Sequence, residues 1–143
     1  MTSQNRHAAA KDESENLEAF AAELRGTLML EALIAACAII TYADAQSTPI
    51  ERWTLVEMLA RDPLLAALPK SVLAEEWAAH RQAFAADPAD ARAQALRTIA
   101  RLAPEPHKGR MVLEACIRIM TADRQTAAAE LQGLRDIREA LQL

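Results

Sequence analysis

Residues 28–43, LMLEALIAACAIITYA, decide the fold of this chain. The run is apolar nearly all round, and Glu31 is its one charged residue. A helix of this kind is enclosed by other helices, because an apolar surface on every side has to be covered. The run is also shorter than the roughly 20 apolar residues that a membrane-spanning helix needs. We therefore predict a central helix over these residues, buried in a bundle.

The composition of the whole chain favours helices over strands. Of its 143 residues, 52% are apolar, 3% are aromatic and only 3 residues are glycine. Alanine and leucine, which are strong helix formers, make up much of the apolar fraction. A chain of this length is the size of one ordinary domain and can bury a real core. We predict an all-α fold, with a mobile polar tail at 1–13 and a single domain at 14–143.

Local signals divide this domain into a compact bundle of about seven helices. Thr48-Pro49-Ile50-Glu51 has the pattern of a capping box, and Asp87-Pro88 is a second cap-then-proline start. The predicted helices cover residues 14–25, 27–43, 48–61, 71–86, 88–103, 107–121 and 126–141. In the last helix, the apolar spacing predicts that Leu131, Leu134, Ile137 and Leu141 face inward.

An acidic turn follows the central helix, and a similar turn comes back later in the chain. YADAQSTPIE, residues 42–51, aligns with TADRQTAAAE, residues 121–130, at an offset of 79 positions. Other aligned pairs are Ala36 and Ala115, Cys37 and Cys116, Ile40 and Ile119, Leu55 and Leu134, and Glu57 and Asp136. A helical hairpin cannot bury its own apolar face, so two pseudo-symmetric helix–acidic turn–helix units should pack against each other. Coincidence in an alanine-rich helical sequence is the alternative.

Each acidic turn has two carboxylates that the reversal of the chain could bring together. They are Asp44 and Glu51 in the first turn, and Asp123 and Glu130 in the second. Carboxylate oxygens suit a hard cation such as calcium, but a tight site needs about six to eight oxygen ligands, so we expect weak binding. The alternative is that the glutamates stabilise helix N-termini. Neither turn has the alternating acids and glycine of an EF-hand loop.

These turns resemble those of a known family, the tellurite-resistance TerB-like proteins, which are also similar to the N-terminal domain of a membrane-anchored DnaJ-type co-chaperone. In the first turn, Ala43-Asp44 with Thr48, Pro49 and Glu51 carries the resemblance, and in the second, Ala122-Asp123 with Glu130 does. The resemblance spans about residues 28–141. It implies an all-helical bundle with internal pseudo-symmetry, in a protein linked to tellurite and other chemical stress.

The resemblance also implies a divalent-cation site. Transferred residue by residue, it nominates Asp44, Glu51, Asp123 and Glu130 as ligands. The glycine that the family has after each Asp is Ala45 in the first turn and Arg124 in the second. The positive charge of Arg124 beside the second turn opposes metal binding. The resemblance therefore supports the family fold more strongly than the family ion site.

Other residues that could carry chemistry have simpler interpretations. Cys37 and Cys116 lie inside apolar runs, where we expect small buried core residues. The alternative is a redox pair or a thiol target for soft tellurium species, with reactivity lowered by burial. His80 follows Glu76 by one helical turn, and we expect a solvated surface pair, with metal ligation as the alternative. No catalytic triad, phosphate-binding loop or zinc pattern is present, and we predict no enzyme.

The net charge of −4 bears on the partners of the protein. An acidic chain has no basic surplus with which to neutralise phosphates, which argues against nucleic acid. With two cysteines and no secretory signal, a cytoplasmic location is the expectation. We expect contacts with other proteins, without a membrane span, and homo-oligomer formation remains open. A purely scaffolding bundle with no ligand is a further alternative.

Overall fold

A computed structural model of the protein describes residues 28–43, 52–63, 65–121 and 128–143. Six helices occupy these ranges: α1 Leu28–Thr41, α2 Arg52–Arg61, α3 Lys70–Ala86, α4 Pro88–Ala100, α5 Pro106–Thr121 and α6 Ala128–Ala140. There is no strand in these four ranges. The all-α prediction is confirmed. Six helices are found rather than seven, and the helix predicted at 14–25 lies outside the described residues.

The central helix is α1, as its sequence predicts. It packs against α3, α4, α5 and α6, and most of its residues are buried from Met29 to Thr41. Only Leu28 and Glu31 remain partly exposed along it. Because apolar side chains leave this helix in every direction, four other helices are needed to remove them from water.

The other packed helix pairs involve α2, α3, α4 and α6. Helix α2 packs against α3 and, less extensively, against α5, whereas α6 packs against α1 and α4. Helices α3 and α4 also pack against each other. The contact between α1 and α5 joins the first helices of the two proposed units, as the repeat predicts. The duplication itself stays a hypothesis.

The start signals before α3 and α4 correspond to observed helix boundaries. Helix α3 begins at Lys70, directly after Pro69. At the start of α4, the Asp87 carboxylate accepts a hydrogen bond from the backbone N–H of Asp90 at 3.2 Å, and Pro88 takes the first helical position. This cap satisfies a backbone donor that has no partner within the helix. The capping box at Thr48 lies outside the described residues.

One inward-facing residue was predicted wrongly. Leu131 is 50% exposed, whereas Ile137 and Leu141 are buried and Leu134 packs partly against the core. The buried side of α6 includes Gly133, whose ideal Cβ position lies only 3.0 Å from the Ile40 side chain. Leu131 comes two residues earlier, about 160° away around the helix, so it faces outward.

Candidate functional site

The acidic turns were the first candidate site, and the structure describes only a small part of them. Asp44, Glu51 and Asp123 lie outside the described residues, whereas Glu130 is half-buried in the first turn of α6. Among the residues that the structure does describe, no group of three or more His, Cys, Asp or Glu side chains is placed to hold a metal ion. Cation binding at the turns therefore stays a prediction.

The described residues do show what holds the start of the first turn. The Tyr42 ring stacks on Phe84 at a centroid distance of 4.6 Å and on Trp77 at 5.9 Å. Both of these partners belong to α3 and are buried, so they line the core and not an interface. Desolvation raises the pKa of the Tyr42 hydroxyl, which keeps the ring neutral at physiological pH. The residue that follows α1, Tyr42, is therefore held in place by its stacking on α3.

A second candidate lies where α1 meets α5. Cys37 and Cys116, which align in the repeat, are both free thiols with no exposed surface. Both lie in the core, on helices that pack against each other, and the pKa of the Cys37 thiol is raised chiefly by hydrogen bonding with Cys116 and then by burial. The predicted burial of both cysteines is confirmed. At neutral pH both effects favour the protonated thiol on Cys37.

Beside the two thiols, a buried carboxylate is bound by an arginine. The Asp62 side chain is 3% exposed and Arg118 is 49% exposed. Arg118 donates from Nε to Asp62 Oδ1 at 2.9 Å and from Nη2 to Oδ2 at 3.2 Å. This two-point hydrogen bond raises the pKa of Arg118 and connects the turn after α2 to α5.

Asp62 also acts on the Cys37 thiol. Its negative charge contributes to the raised pKa of Cys37. Helix α5 brings both Cys116 and Arg118 to this place, two residues apart, and α1 brings Cys37. The Thr41 hydroxyl donates to the carbonyl oxygen of Cys37 at 2.8 Å and satisfies a buried polar group there. We call Cys37, Cys116, Asp62 and Arg118 the junction.

The third candidate was His80, and its predicted environment was wrong. His80 is half-buried, and it lines a cavity of about 160 Å³ between α3 and α4. The cavity wall also includes Ala79, Ala83, Ala91, Gln94, Ala95 and Thr98. The small alanines let the two helices approach closely, which desolvates the imidazole and lowers its pKa. Glu76 is half-buried too, and burial raises the pKa of its carboxyl.

Sequence reasoning missed the Asp62–Arg118 pair. Asp62 stands before a proline at the end of a helix, a position that usually indicates a solvated turn. Arg118 interrupts an apolar helix, which was the available signal that a charged partner lies near. The two residues are 56 positions apart, so no local pattern could join them.

Comparison with known proteins identifies a family. The pattern of the family described as Tellurite resistance protein TerB matches residues 30–143. No curated protein and no solved structure matches the chain. No helix in the described ranges is long and apolar enough to cross a membrane. The similarity to the co-chaperone domain stays a prediction.

Proposed function

Because this chain belongs to the tellurite-resistance TerB family, we propose that it is a non-enzymatic helical module of a tellurite and chemical stress response. The match over residues 30–143, most of the chain, is the observation that carries this proposal. The module works through contacts with other proteins. A module of this kind acts by presenting surfaces, so its role depends on what those surfaces bind.

Two exposed apolar side chains, one on α5 and one on α6, are candidate contact points. Ile117 is 39% exposed on α5, and Leu131 is 50% exposed on α6. Each exposed apolar side chain gains free energy when a partner covers it. Substituting such a side chain with serine should weaken a contact without disturbing the core.

Survival in tellurite tests the proposed function. Cells that lack the gene should be more sensitive to tellurite than their parent, and the full chain supplied on a plasmid should restore survival. Leu131→Ser should restore it less well than the matched variant Arg135→Ser, because Arg135 is an exposed polar residue on the same helix. Equal survival of the parent and the deleted strain would refute the stress role.

Weak binding of a divalent cation such as calcium, by Asp44, Glu51, Asp123 and Glu130, is part of the same proposal. The motif resemblance supports it, together with the position of Glu130 in the first turn of α6. Binding would draw the two carboxylates of a turn together and join consecutive helices.

Calorimetric titration with calcium and with manganese tests this binding. The full chain should release or absorb heat on titration, and its melting temperature should rise with added ion. Asp44→Ala and Asp123→Ala should each reduce the heat, whereas the exposed-acid control Glu139→Ala should not. If the two turn variants leave heat and melting temperature unchanged, the ligand-free scaffold is the better description.

A further inference from the structure

We propose that the cavity between α3 and α4 binds a small neutral phenol, a single aromatic ring that carries one hydroxyl group. In this site the His80 imidazole accepts the hydrogen bond of the hydroxyl group, and alanine methyl groups pack against the ring. The inference goes beyond the proposed function and does not depend on it, because the residues that line the cavity all belong to α3 and α4.

The volume of the cavity sets the size of its ligand. The cavity measures about 160 Å³. An apolar protein cavity of about 150 Å³ holds one benzene molecule. One six-membered ring therefore suits this cavity, whereas a fused pair of rings needs more space.

Four alanines supply the apolar part of the cavity wall. Ala79 and Ala83 come from α3, and Ala91 and Ala95 come from α4. Because the two alanines on each helix are four residues apart, they lie one above the other on the same face. Their short side chains leave a gap between two helices that otherwise pack together. A ring that fills this gap covers the methyl groups and removes apolar surface from water.

The polar part of the wall offers mainly hydrogen-bond acceptors. The Thr98 hydroxyl already donates to the carbonyl oxygen of Gln94 at 3.1 Å, so its oxygen can only accept. The amide nitrogen of Gln94 donates to Asp90 Oδ2 at 2.8 Å, and the carbonyl oxygen of that amide can only accept. A neutral His80 imidazole adds one accepting nitrogen. A ligand that donates a hydrogen bond, as a phenol does, matches this wall.

The charges around the cavity exclude an anionic ligand. Burial lowers the pKa of His80, so the imidazole carries little positive charge at neutral pH. The Asp90 carboxylate, bound to the side chain of Gln94 beside the cavity, repels a second carboxylate. The apolar part of the wall also disfavours any charged ring. The site should therefore prefer phenol to benzoate.

Titration of the full chain with phenol, followed by NMR of the imidazole and alanine methyl signals, tests the site. We expect saturable shifts of the His80 ring and of the Ala91 and Ala95 methyl groups, with one phenol bound per chain. His107, an exposed histidine on α5, is an internal control and should not shift. Fluorobenzene, which has a similar ring and no hydroxyl group, should bind about fivefold more weakly than phenol. Benzoate should produce no saturable shift.

Two variants separate the roles of the wall. Ala79 is exposed, so Ala79→Leu adds a side chain over the cavity without entering the core, and it should weaken phenol binding about tenfold or more. Ala85→Leu is the matched control, because Ala85 is an exposed alanine of the same helix outside the cavity. His80→Phe keeps a flat ring and removes both nitrogen atoms, so phenol should lose its advantage over fluorobenzene.

Three results would overturn the proposal. The first is shifts that rise without saturation, the second is equal binding of phenol and benzoate, and the third is phenol binding that Ala79→Leu leaves unchanged. If Ala79→Leu fails to fold, nuclear Overhauser effects in the wild-type chain decide the matter. The site requires them between the phenol ring protons and the methyl groups of Ala91 and Ala95, and their absence at saturating phenol would exclude it.

Discussion

The two repeat-related units, α1–α2 and α5–α6, align in sequence but differ in how much of each is covered. Helix α1 is buried on all sides, whereas α5 buries a single stripe that includes Val112, Cys116 and Ile119. Helices α3 and α4 lie between the units in the chain, and both pack against α1. Helix α5 packs mainly against α1 and less extensively against α2. Because α3 and α4 cover α1, the first helix of one unit is buried on all sides, whereas the first helix of the other unit stays partly exposed.

The same difference appears in the ion pairs of the second helices. Glu57 on α2 and Asp136 on α6 are aligned in the repeat, and each binds a basic residue of an intervening helix. Glu57 pairs with Lys70 at 2.6 Å, with both side chains about half-exposed. Asp136 pairs with Arg92 and also accepts from Gln132 at 3.0 Å, in a less exposed place. The two aligned acids thus both form an ion pair, but the pair of Glu57 is more exposed to solvent than that of Asp136.

The largest expected effect concerns the connection between the units. Arg118→Ala removes the guanidinium that binds the buried Asp62 carboxylate. It should destabilise the fold by about 3 kcal/mol. This value is at the low end for a broken buried ion pair, because Arg118 is half-exposed. Urea denaturation measures the loss. The exposed control Arg110→Ala on the same helix should change stability by less than about 0.5 kcal/mol. Equal effects of the two variants would show that the junction does not connect the units.

A second pair of variants compares the covered helix with the partly exposed one. Ala38 on α1 aligns with Ile117 on α5; Ala38 has no exposed surface and Ile117 is 39% exposed. Ala38→Ile should cost about 2 kcal/mol, because added methylenes have no space in a packed core. Ile117→Ala should cost less than about 1 kcal/mol, since part of that side chain is already in water. Thermal melting checks both, and a larger loss from Ile117→Ala would reverse the assignment of core and surface.

A third test uses the two aligned acids. Asp136→Ala should cost about 1 kcal/mol, because it removes contacts to both Arg92 and Gln132 in a partly buried place. Glu57→Ala should cost less than Asp136→Ala, because an exposed ion pair contributes little to stability. Added salt should weaken the Glu57 contribution further. Denaturation at low and high ionic strength measures both, and the comparison fails if Glu57→Ala is the more harmful change.

The smallest expected effect is at Gly109 in the first turn of α5. An alanine there gains helix propensity of roughly 1 kcal/mol, and its Cβ would meet Leu141 Cδ2 at 3.2 Å. The contact is with the end of a flexible side chain, so we expect a net gain of about 0.5 kcal/mol in the free energy of unfolding. Gly133→Ala is the comparison, because its Cβ would meet Ile40 more closely, at 3.0 Å. A destabilised Gly109→Ala would show that Leu141 cannot move.

Local patterns were enough to predict the helices and part of the core. The apolar run at 28–43 needed cover on every side, and Asp87-Pro88 could only start a helix, so both predictions were confirmed. The predicted exposure of Leu131 and of His80 was wrong, because exposure depends on which side of a helix the neighbouring helices pack against. Asp62 and Arg118 were missed because their contact forms only after the chain has folded. The predicted cation ligands remain a prediction, with only Glu130 among the described residues.

The stacking of Tyr42 on Trp77 gives the protein an optical reporter at the point where α1 ends. The chain has two tryptophans, so replacing Trp53 with phenylalanine would leave Trp77 as the sole indole emitter. Its emission would then report on the environment of Tyr42, the first residue of the first acidic turn. A ligand that reshapes this turn would be visible as a change in fluorescence intensity or wavelength, without any attached dye.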